Sequence, residues 1–276
     1  YDEEVDIIIK TKFNKDLKFL NIKKSLIFNE YNFEVDKLLK KIDKFQLEKI
    51  KFFPKTYLSK NIVFQNLARG NSYLPDKLPD FSSNLLSNIA KVINELSLKN
   101  VSKTNISSYI AHFKFSKEKD PLNFKIINNF ILLVNNYLKE NIKTSLTHGD
   151  FKFEHLFIFE NNLEYLVDWE NVGVRSIFFD LMNFFTPWFV KRSYNYSQIK
   201  NYISKFIVDY LPNLKKDIEN KFDIYFCLYA LERYMRMYNS RTIKFDLDEA
   251  ILLEETEKAD LLKSIRSAMD GLNLEF

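Results

Sequence analysis

The residues whose types and spacing point most clearly to chemistry are His148-Gly149-Asp150 and, eighteen positions after that aspartate, Asp168. An aspartate carboxylate can accept the proton of a reacting hydroxyl or orient that hydroxyl for attack. Carboxylate oxygens are also the ligands that Mg²⁺ prefers, and Mg²⁺ takes few of them from a protein because it keeps several waters. The pair therefore predicts one group that handles a hydroxyl and one that holds a metal ion.

A predicted β-hairpin connects the two aspartates. Short apolar runs at residues 156–159 and 163–167 flank the turn-forming tripeptide Glu-Asn-Asn at 160–162, which is a pattern typical of two antiparallel strands. The loop that contains Asp150 enters this hairpin and Asp168 leaves it. The distance between the two acids along the chain is thus accounted for by one supersecondary unit.

Together, His-Gly-Asp-Phe, Val-Asp-Trp-Glu and Phe-Asp-Leu resemble motifs of the aminoglycoside phosphotransferase and choline kinase family, which has a protein-kinase-like fold. In that family the pattern is His-x-Asp, four residues, Asn, and then a strand that ends in Asp-Trp/Phe-Glu. The motifs look most like those of members associated with bacterial surface-glycan synthesis. The resemblance is strongest over residues 147–185 and weaker over the first 70.

The resemblance implies a role for each motif residue. Asp150 would be the base, or the group that orients the acceptor hydroxyl toward the γ-phosphate of ATP or GTP, and Asp168 would hold Mg²⁺ at the β- and γ-phosphates. His148 would fix the loop by hydrogen bonds and would not act as a base. Lys152 would contact the transferred phosphate, with an ordinary solvent-exposed lysine as the open alternative. Asp180 would support the loop backbone.

His155 departs from the family pattern because it stands where Asn is usual. Asn supplies a neutral oxygen to a second metal ion, whereas imidazole supplies a nitrogen, which Mn²⁺ or Zn²⁺ accepts more readily than Mg²⁺. Three outcomes are open: a metal ion bound by His155, one metal ion instead of two, or a weakened enzyme.

In the small lobe, the resemblance implies a strand lysine that neutralises the α- and β-phosphates and a Glu partner on the following helix. Lys10 and Glu30 fit these roles, and Glu34 remains open for the second. If Lys10 lies on the third strand, two strands and a Gly-rich loop must precede Tyr1. The alternative is that this alignment of the small lobe is wrong.

The adenine base would lie against backbone groups of a hinge near Asn66 and Ala68. Backbone contacts leave no sequence signature, so this placement follows from the resemblance alone. Beyond the hinge, Gly70 and two prolines within ten residues mark the densest cluster of turn residues in the chain. We therefore predict a lobe boundary there, with a nucleotide-binding lobe at 1–70 and a helical lobe at 71–276.

Apolar spacing predicts the remaining elements. Strands are expected at 5–11, 52–58 and 61–66, the last two as a hairpin. Helices are expected at 25–40, over 85–96 with Asp80 or Ser82 as the cap, from 120 onward, and at 178–190, 196–210, 221–238 and 247–269. The predicted fold class is α+β: a protein-kinase-like two-lobe fold with a small β-rich lobe, incomplete at its start if Lys10 is on the third strand, and a larger helical lobe.

Composition narrows the function classes. A hydrophobic content of 46% predicts a folded globule, and a net charge of +4 from 41 basic and 37 acidic residues gives little support for nucleic-acid binding. The one cysteine, Cys227, has apolar neighbours and is expected to be a buried, inert thiol. No apolar run approaches the ~20 residues that span a bilayer. A cytoplasmic location is expected.

The sequence thus predicts a small-molecule kinase that uses ATP or GTP with Mg²⁺ or Mn²⁺ and phosphorylates a hydroxyl, with a sugar or sugar-linked alcohol as the suggested acceptor. The main alternative is a pseudokinase-like binding or scaffold protein, motivated by His155 and the missing Gly-rich loop. A helical interaction protein and a zinc hydrolase built on His148, Asp150 and His155 are further alternatives. The acceptor, the choice between ATP and GTP, and the oligomeric state stay open.

Overall fold

The computed structural model divides the chain into two compact units, Tyr1–Leu96 with His148–Gly173, and Ser97–Thr147 with Val174–Phe276. The first unit therefore includes residues 71–96 and residues 148–173, hereafter the motif segment, which sequence reasoning placed in the helical lobe. The lobe boundary near residue 70 stays a prediction. The structure describes residues 8–13, 16–21, 26–30, 33–54, 56–59, 62–66, 71–72, 81–111, 128, 140–190, 192–219 and 221–240.

The first unit contains a five-stranded antiparallel sheet of order β1-β2-β3-β5-β4. Its strands are β1 (Ile8–Phe13), β2 (Asp16–Asn21), β3 (Leu26–Glu30), β4 (Thr56–Ser59) and β5 (Ile62–Asn66). Helix α1 (Phe33–Phe45) lies between β3 and β4 in the chain. The predicted hairpin of β4 and β5 is confirmed by the pairing of Ser59 with Ile62.

The structure bears on the expected placements of Lys10 and Glu30. Lys10 lies on β1, where it pairs with Phe19 of β2, which favours the alternative that the alignment of the small lobe was wrong. Glu30 ends β3 and does not lie in the following helix, which begins at Phe33. The helical spacing at 25–40 misled because it joined the apolar run of β3 to the true helix, and pairing with β2 and β5 decides the structure of such a run.

A second sheet of the first unit has the order β10-β9-β6. It contains β6 (Asn71–Ser72) and the predicted motif hairpin, which is confirmed as β9 (Leu156–Phe159) and β10 (Asn162–Leu166). The predicted helix over 85–96 is confirmed as α2 (Ser83–Ser97). Ser82 caps it, since its hydroxyl accepts a hydrogen bond from the Leu85 N–H at 3.2 Å.

Helix α2 fixes the turn of this hairpin through Asn88. The Asn88 amide is fully buried, donates to the Asn161 carbonyl oxygen at 3.0 Å and accepts from the Leu163 N–H at 3.4 Å. At the other end of β10, the Leu166 N–H donates to the Phe52 carbonyl oxygen at 2.8 Å. These bonds set the position from which the chain enters the Asp168 segment.

The second unit contains a three-stranded sheet of order β11-β8-β7 that sequence reasoning missed. Its strands are β7 (Ser102–Asn105), β8 (Asn141–Thr147) and β11 (Gly173–Ser176), and α3 (Ile106–Ile110) follows β7. These strands are rich in polar residues and lack a long apolar run, so they carry little strand signal.

Helices complete the described part of the second unit: α4 (Phe179–Val190), α5 (Tyr196–Tyr210), α6 (Lys215–Ile218) and α7 (Phe222–Ser240). The three helices predicted at 178–190, 196–210 and 221–238 are thereby confirmed, whereas the helices predicted from 120 onward and at 247–269 lie outside the described residues, apart from helical residue 128. The rings of Phe178, the residue before α4, and Tyr225 of α7 pack edge-to-face in the core with centroids 4.8 Å apart. None of the described helices is long and apolar enough to cross a membrane.

Candidate active site

The motif segment has an unusual backbone at two positions. Gly149 has φ 84°, a left-handed conformation that glycine adopts without steric cost. Asp168, the residue that follows the hairpin, also has a left-handed backbone with φ 66° and ψ 56°. Aspartate tolerates this region better than most residues because its short polar side chain can bond locally. Two motif positions that the sequence singled out, Gly149 and Asp168, therefore need a left-handed backbone.

His148 holds the two halves of the motif together. Its ring is fully buried, its Nε2 lies 2.8 Å from the Val167 carbonyl oxygen, and its Nδ1 accepts from the Asp150 N–H at 3.3 Å. Since a carbonyl only accepts, Nε2 carries the proton. Burial, with a smaller contribution from His155, lowers the pKa of His148 to about 4. Both nitrogens of a neutral imidazole are thus engaged, which confirms the predicted structural role.

Aromatic side chains pack around this histidine. Trp169 meets the His148 ring edge-to-face at 4.7 Å and donates from Nε1 to the Leu166 carbonyl oxygen at 2.5 Å. Phe151 is fully buried beside His148, and Phe153 is buried and stacks on Phe81 at 5.8 Å. Both phenylalanines therefore anchor the loop in the core.

Three polar side chains converge beside His148 and the aromatic residues that pack around it. One ligand atom from each of Asp150, His155 and Asp168 lies within 4.8 Å of the others. His155 Nε2 is 3.1 Å from Asp168 Oδ2, and His155 Nδ1 is 2.8 Å from the Asp150 carbonyl oxygen. The Asp168 side chain is 40% exposed whereas His155 is 12% exposed. The cluster is therefore open to solvent on the Asp168 side.

Lys152 lies next to the cluster. Its Nζ is 2.9 Å from Asp150 Oδ2, and its side chain is 44% exposed. The Asp150 side chain of this pair is 14% exposed, so the pair places a solvent-facing positive charge against a largely buried carboxylate.

Sequence reasoning missed a hydrogen bond between α1 and the segment that follows Asp168. Lys41 Nζ donates to the Glu170 carbonyl oxygen, while the Glu170 residue itself is exposed. Because the acceptor is a backbone atom, no residue pattern predicts this contact. The sequence showed only that α1 has a hydrophilic face.

The predicted nucleotide-binding residues lie apart from the motif segment in the chain. Lys10 is on β1, Glu30 ends β3 and Asn66 ends β5, and these three positions are described by their backbones. Ala68 lies outside the described residues. The binding roles of all four stay predictions.

The donor set at the cluster suits a divalent cation. Two carboxylates supply the hard oxygen ligands that Mg²⁺ and Mn²⁺ take, and imidazole is a ligand for first-row transition ions. Asp168 and His155 already present their donor atoms side by side, which meets the first requirement of a metal site, namely converging ligands. The residues present thus fit the metal ion that the motif implies.

Comparison with known proteins gives one family match. The model of the phosphotransferase enzyme family matches residues 114–204, about a third of the chain, and this region contains Asp150, His155 and Asp168. No curated protein sequence matches the chain.

Solved structures share the fold at low sequence identity. A putative aminoglycoside phosphotransferase from Ralstonia eutropha has a TM-score of 0.64 at 10% identity, covering 96% of this chain and 92% of its own. Choline kinase LicA from Streptococcus pneumoniae has a TM-score of 0.62 at 17% identity and 94% coverage of both chains. The GDP complex of an aminoglycoside 2'-phosphotransferase has a TM-score of 0.65 at 14% identity, covering 99% of this chain and 95% of its own.

These findings confirm the predicted resemblance to aminoglycoside phosphotransferases and choline kinase, and the predicted protein-kinase-like α+β fold. The chain is similar to phosphotransferases that act on small molecules, as the sequence predicted.

Proposed function

We propose that this protein is a small-molecule kinase that moves the γ-phosphate of ATP or GTP to a hydroxyl group. The observation that carries the proposal is the convergence of Asp150, His155 and Asp168 within 4.8 Å, inside the region that matches the phosphotransferase family model. A hydroxyl-directed carboxylate and a metal-directed carboxylate are the two groups that phosphoryl transfer to an alcohol requires of the protein.

Asp168 is the principal metal ligand in this proposal, with His155 beside it. Its left-handed backbone directs the carboxylate into the cluster from the end of β10, and its exposure leaves room for a nucleotide's phosphates. A divalent cation bound there would neutralise charge on the β- and γ-phosphates. The buried His148 keeps Val167, and hence Asp168, in register with the Asp150 loop.

Asp150 is the group that accepts or orients the acceptor hydroxyl. Its backbone is held from both sides, because its N–H donates to His148 and its carbonyl oxygen accepts from His155. The main chain thus orients the carboxylate, which is 14% exposed, while its ion-pair partner Lys152 is 44% exposed. We propose that Lys152 leaves this pair to contact the transferred phosphate.

For the nucleotide, we propose phosphate contacts from Lys10 and Glu30 of the first sheet and adenine contacts along the backbone near Asn66 and Ala68. Support comes from the fold: solved structures with this fold include complexes with AMP-PNP and Ca²⁺, and with ADP and hygromycin B. Alanine variants of Lys10 and Glu30 would weaken ATP binding if these positions contact the phosphates.

The acceptor is proposed to be a small hydroxyl-bearing molecule, with a sugar or a sugar-linked alcohol as the first class to test. Known proteins of this fold include kinases of aminoglycosides, choline and amicoumacin. We propose a cytoplasmic location for the protein, because the cytoplasm supplies the ATP or GTP that the reaction consumes.

A thermal-shift titration tests the nucleotide site. Wild type, Asp168→Ala and the control Glu154→Ala are melted with ATP and Mg²⁺, then with ATP and Mn²⁺. Glu154 is an exposed acid in the same loop and is not part of the cluster. We expect a rise in the melting temperature for wild type and Glu154→Ala that Asp168→Ala abolishes, because ligand binding stabilises the native state. An equal rise in all three proteins would remove Asp168 from the site.

The alternative, a pseudokinase-like binding protein, predicts the same thermal shift without phosphate transfer. His155 in place of Asn motivates it. The two functions therefore separate only in a turnover measurement.

A further inference from the structure

We propose that His155 makes this metal site selective for a first-row transition ion of the Mn²⁺ class over Mg²⁺. The inference rests on the proposed function, since it concerns the metal ion that accompanies the nucleotide. It goes beyond that function because the motif alone leaves open whether His155 binds metal, is bypassed or weakens the enzyme.

The Asp150 carbonyl oxygen determines which nitrogen of His155 is available. Nδ1 lies 2.8 Å from that oxygen, and a carbonyl can only accept, so Nδ1 carries the hydrogen. In the neutral ring Nε2 then holds the lone pair, and Nε2 is the atom that faces Asp168. The backbone of one site residue thus sets the tautomer that would present a metal-binding nitrogen beside the other's carboxylate.

The separation of the two donor atoms is compatible with a shared metal ion. Ligands at about 2.1 Å from an octahedral ion and at right angles to each other lie about 3 Å apart. His155 Nε2 and Asp168 Oδ2 are 3.1 Å apart. The two donor atoms are thus close enough to be ligands of one ion.

The nitrogen ligand supplies the discrimination. Mg²⁺ binds oxygen and parts with its water reluctantly, so replacing an amide oxygen with imidazole weakens its hold. Mn²⁺ accepts octahedral oxygen sites and also binds imidazole nitrogen, and it stands among the first-row ions whose affinity for such ligands exceeds that of Mg²⁺.

The surroundings hold the ring in this role. His155 is 12% exposed, its ring lies 5.7 Å from that of the buried His148, and Nδ1–H donates to the main chain. Such a bond to a ligand histidine fixes its orientation and raises its basicity as a donor. The side chain is therefore held in a direction that delivers Nε2 to the Asp168 side of the cluster.

The test measures Mn²⁺ and Mg²⁺ affinity directly, without activity. Wild type, His155→Asn and the control Glu154→Gln are titrated calorimetrically with each ion in the presence of an ATP analogue whose β,γ-bridge is a methylene group. We expect the ratio of the Mg²⁺ to the Mn²⁺ dissociation constant to be at least about tenfold higher in wild type and Glu154→Gln than in His155→Asn, since even the outer-shell partners of a metal ligand change metal affinity about 10–100-fold.

Pulsed electron paramagnetic resonance of bound Mn²⁺ gives a second readout. The account predicts a nitrogen coupling from imidazole in wild type that disappears in His155→Asn. An equal affinity ratio in the two proteins, with no imidazole coupling, would overturn the selectivity and leave the kinase proposal standing. Absence of metal-dependent nucleotide binding in wild type and His155→Asn alike would overturn both.

Discussion

His148 Nε2 donates to the carbonyl oxygen of Val167 at 2.8 Å, and this one bond joins the loop of Asp150 to the residue before Asp168. The histidine is fully buried and neutral, with burial lowering its pKa to about 4. The backbones next to the two acids of the proposed reaction are therefore held by the same buried side chain. The buried packing around His148 therefore sets the relative position of the two acids, and substitutions in that packing are expected to affect both acids.

Replacing His148 with Ala should destabilise the protein by about 2–4 kcal/mol. The change removes the hydrogen-bond partner of the part-buried Val167 carbonyl oxygen and opens a cavity beside Trp169. Chemical denaturation measures the free energy of unfolding. Glu154→Ala is the control, and it should change that free energy by no more than about 0.5 kcal/mol because Glu154 is an exposed loop residue. Equal effects of both changes would contradict the supporting role of His148.

A buried ionic network in the second unit should be sensitive to the loss of one partner. Arg175 contacts Glu232 at 2.5 Å and the Thr147 hydroxyl at 2.7 Å, and Tyr109 donates to Glu232 at 2.7 Å. Arg175→Met should cost about 3–5 kcal/mol of unfolding free energy because it leaves the Glu232 charge buried and uncompensated.

The double variant Arg175→Met with Glu232→Gln provides the control for this network. It removes both charges, so part of the lost stability should return, and denaturant titrations of the single and double variants measure the difference. A double variant less stable than Arg175→Met alone would show that charge burial is not the cause.

Asn88 offers a test of how the motif hairpin is positioned. The exposed Asn84 and the buried Asn88 both donate to the Asn161 carbonyl oxygen, at 2.9 and 3.0 Å. Asn88→Leu should cost about 1–3 kcal/mol, since the Leu163 N–H loses its acceptor inside the protein. Asn84→Leu, the matched control, should cost less than about 1 kcal/mol. The reverse order in denaturant titrations would contradict the assignment.

Cys227 should be unreactive in the folded protein. Burial raises the pKa of its thiol well above the ordinary value of 9.0. Reaction with a disulfide reagent at pH 8 is therefore expected to follow unfolding, with rapid labelling only in denaturant. Above pH 9 the unfolded state loses this proton and the folded state keeps it, so stability should fall as pH rises. Rapid labelling of the native protein would contradict the buried placement.

The site was easier to predict than the sheet that precedes it. The hairpin follows from two apolar runs about a polar turn, and the positions of Asp150 and Asp168 follow from the hairpin. The apolar run of β3, in contrast, fits a helix or a strand, and only its pairing with β2 and β5 decides. Because β2 and β3 were not recognised as strands, the position of Lys10 on the first strand of this sheet could not be seen from the sequence.

Other features left no signal in the residue pattern. The strand β7 has the sequence Ser-Lys-Thr-Asn, which reads as a loop until it pairs with β8. The contacts of His155 with the Asp150 carbonyl, and of Lys41 with the Glu170 carbonyl, end on backbone atoms, which every residue has. Such contacts depend on the tertiary structure and cannot be read from residue types.

The most direct test of the central claim is phosphate transfer from ATP labelled at the γ-position, with Mn²⁺ and with Mg²⁺, to water and to a panel of choline, aminoglycosides and sugars. Wild type is compared with Asp150→Asn, and binding of metal–ATP to both is verified by thermal shift. We predict transfer by wild type that falls roughly 10²–10⁴-fold in Asp150→Asn while nucleotide binding persists. Wild type that binds metal–ATP yet transfers no more phosphate than Asp150→Asn, to water or to any acceptor, would contradict a kinase and identify a nucleotide-binding protein instead.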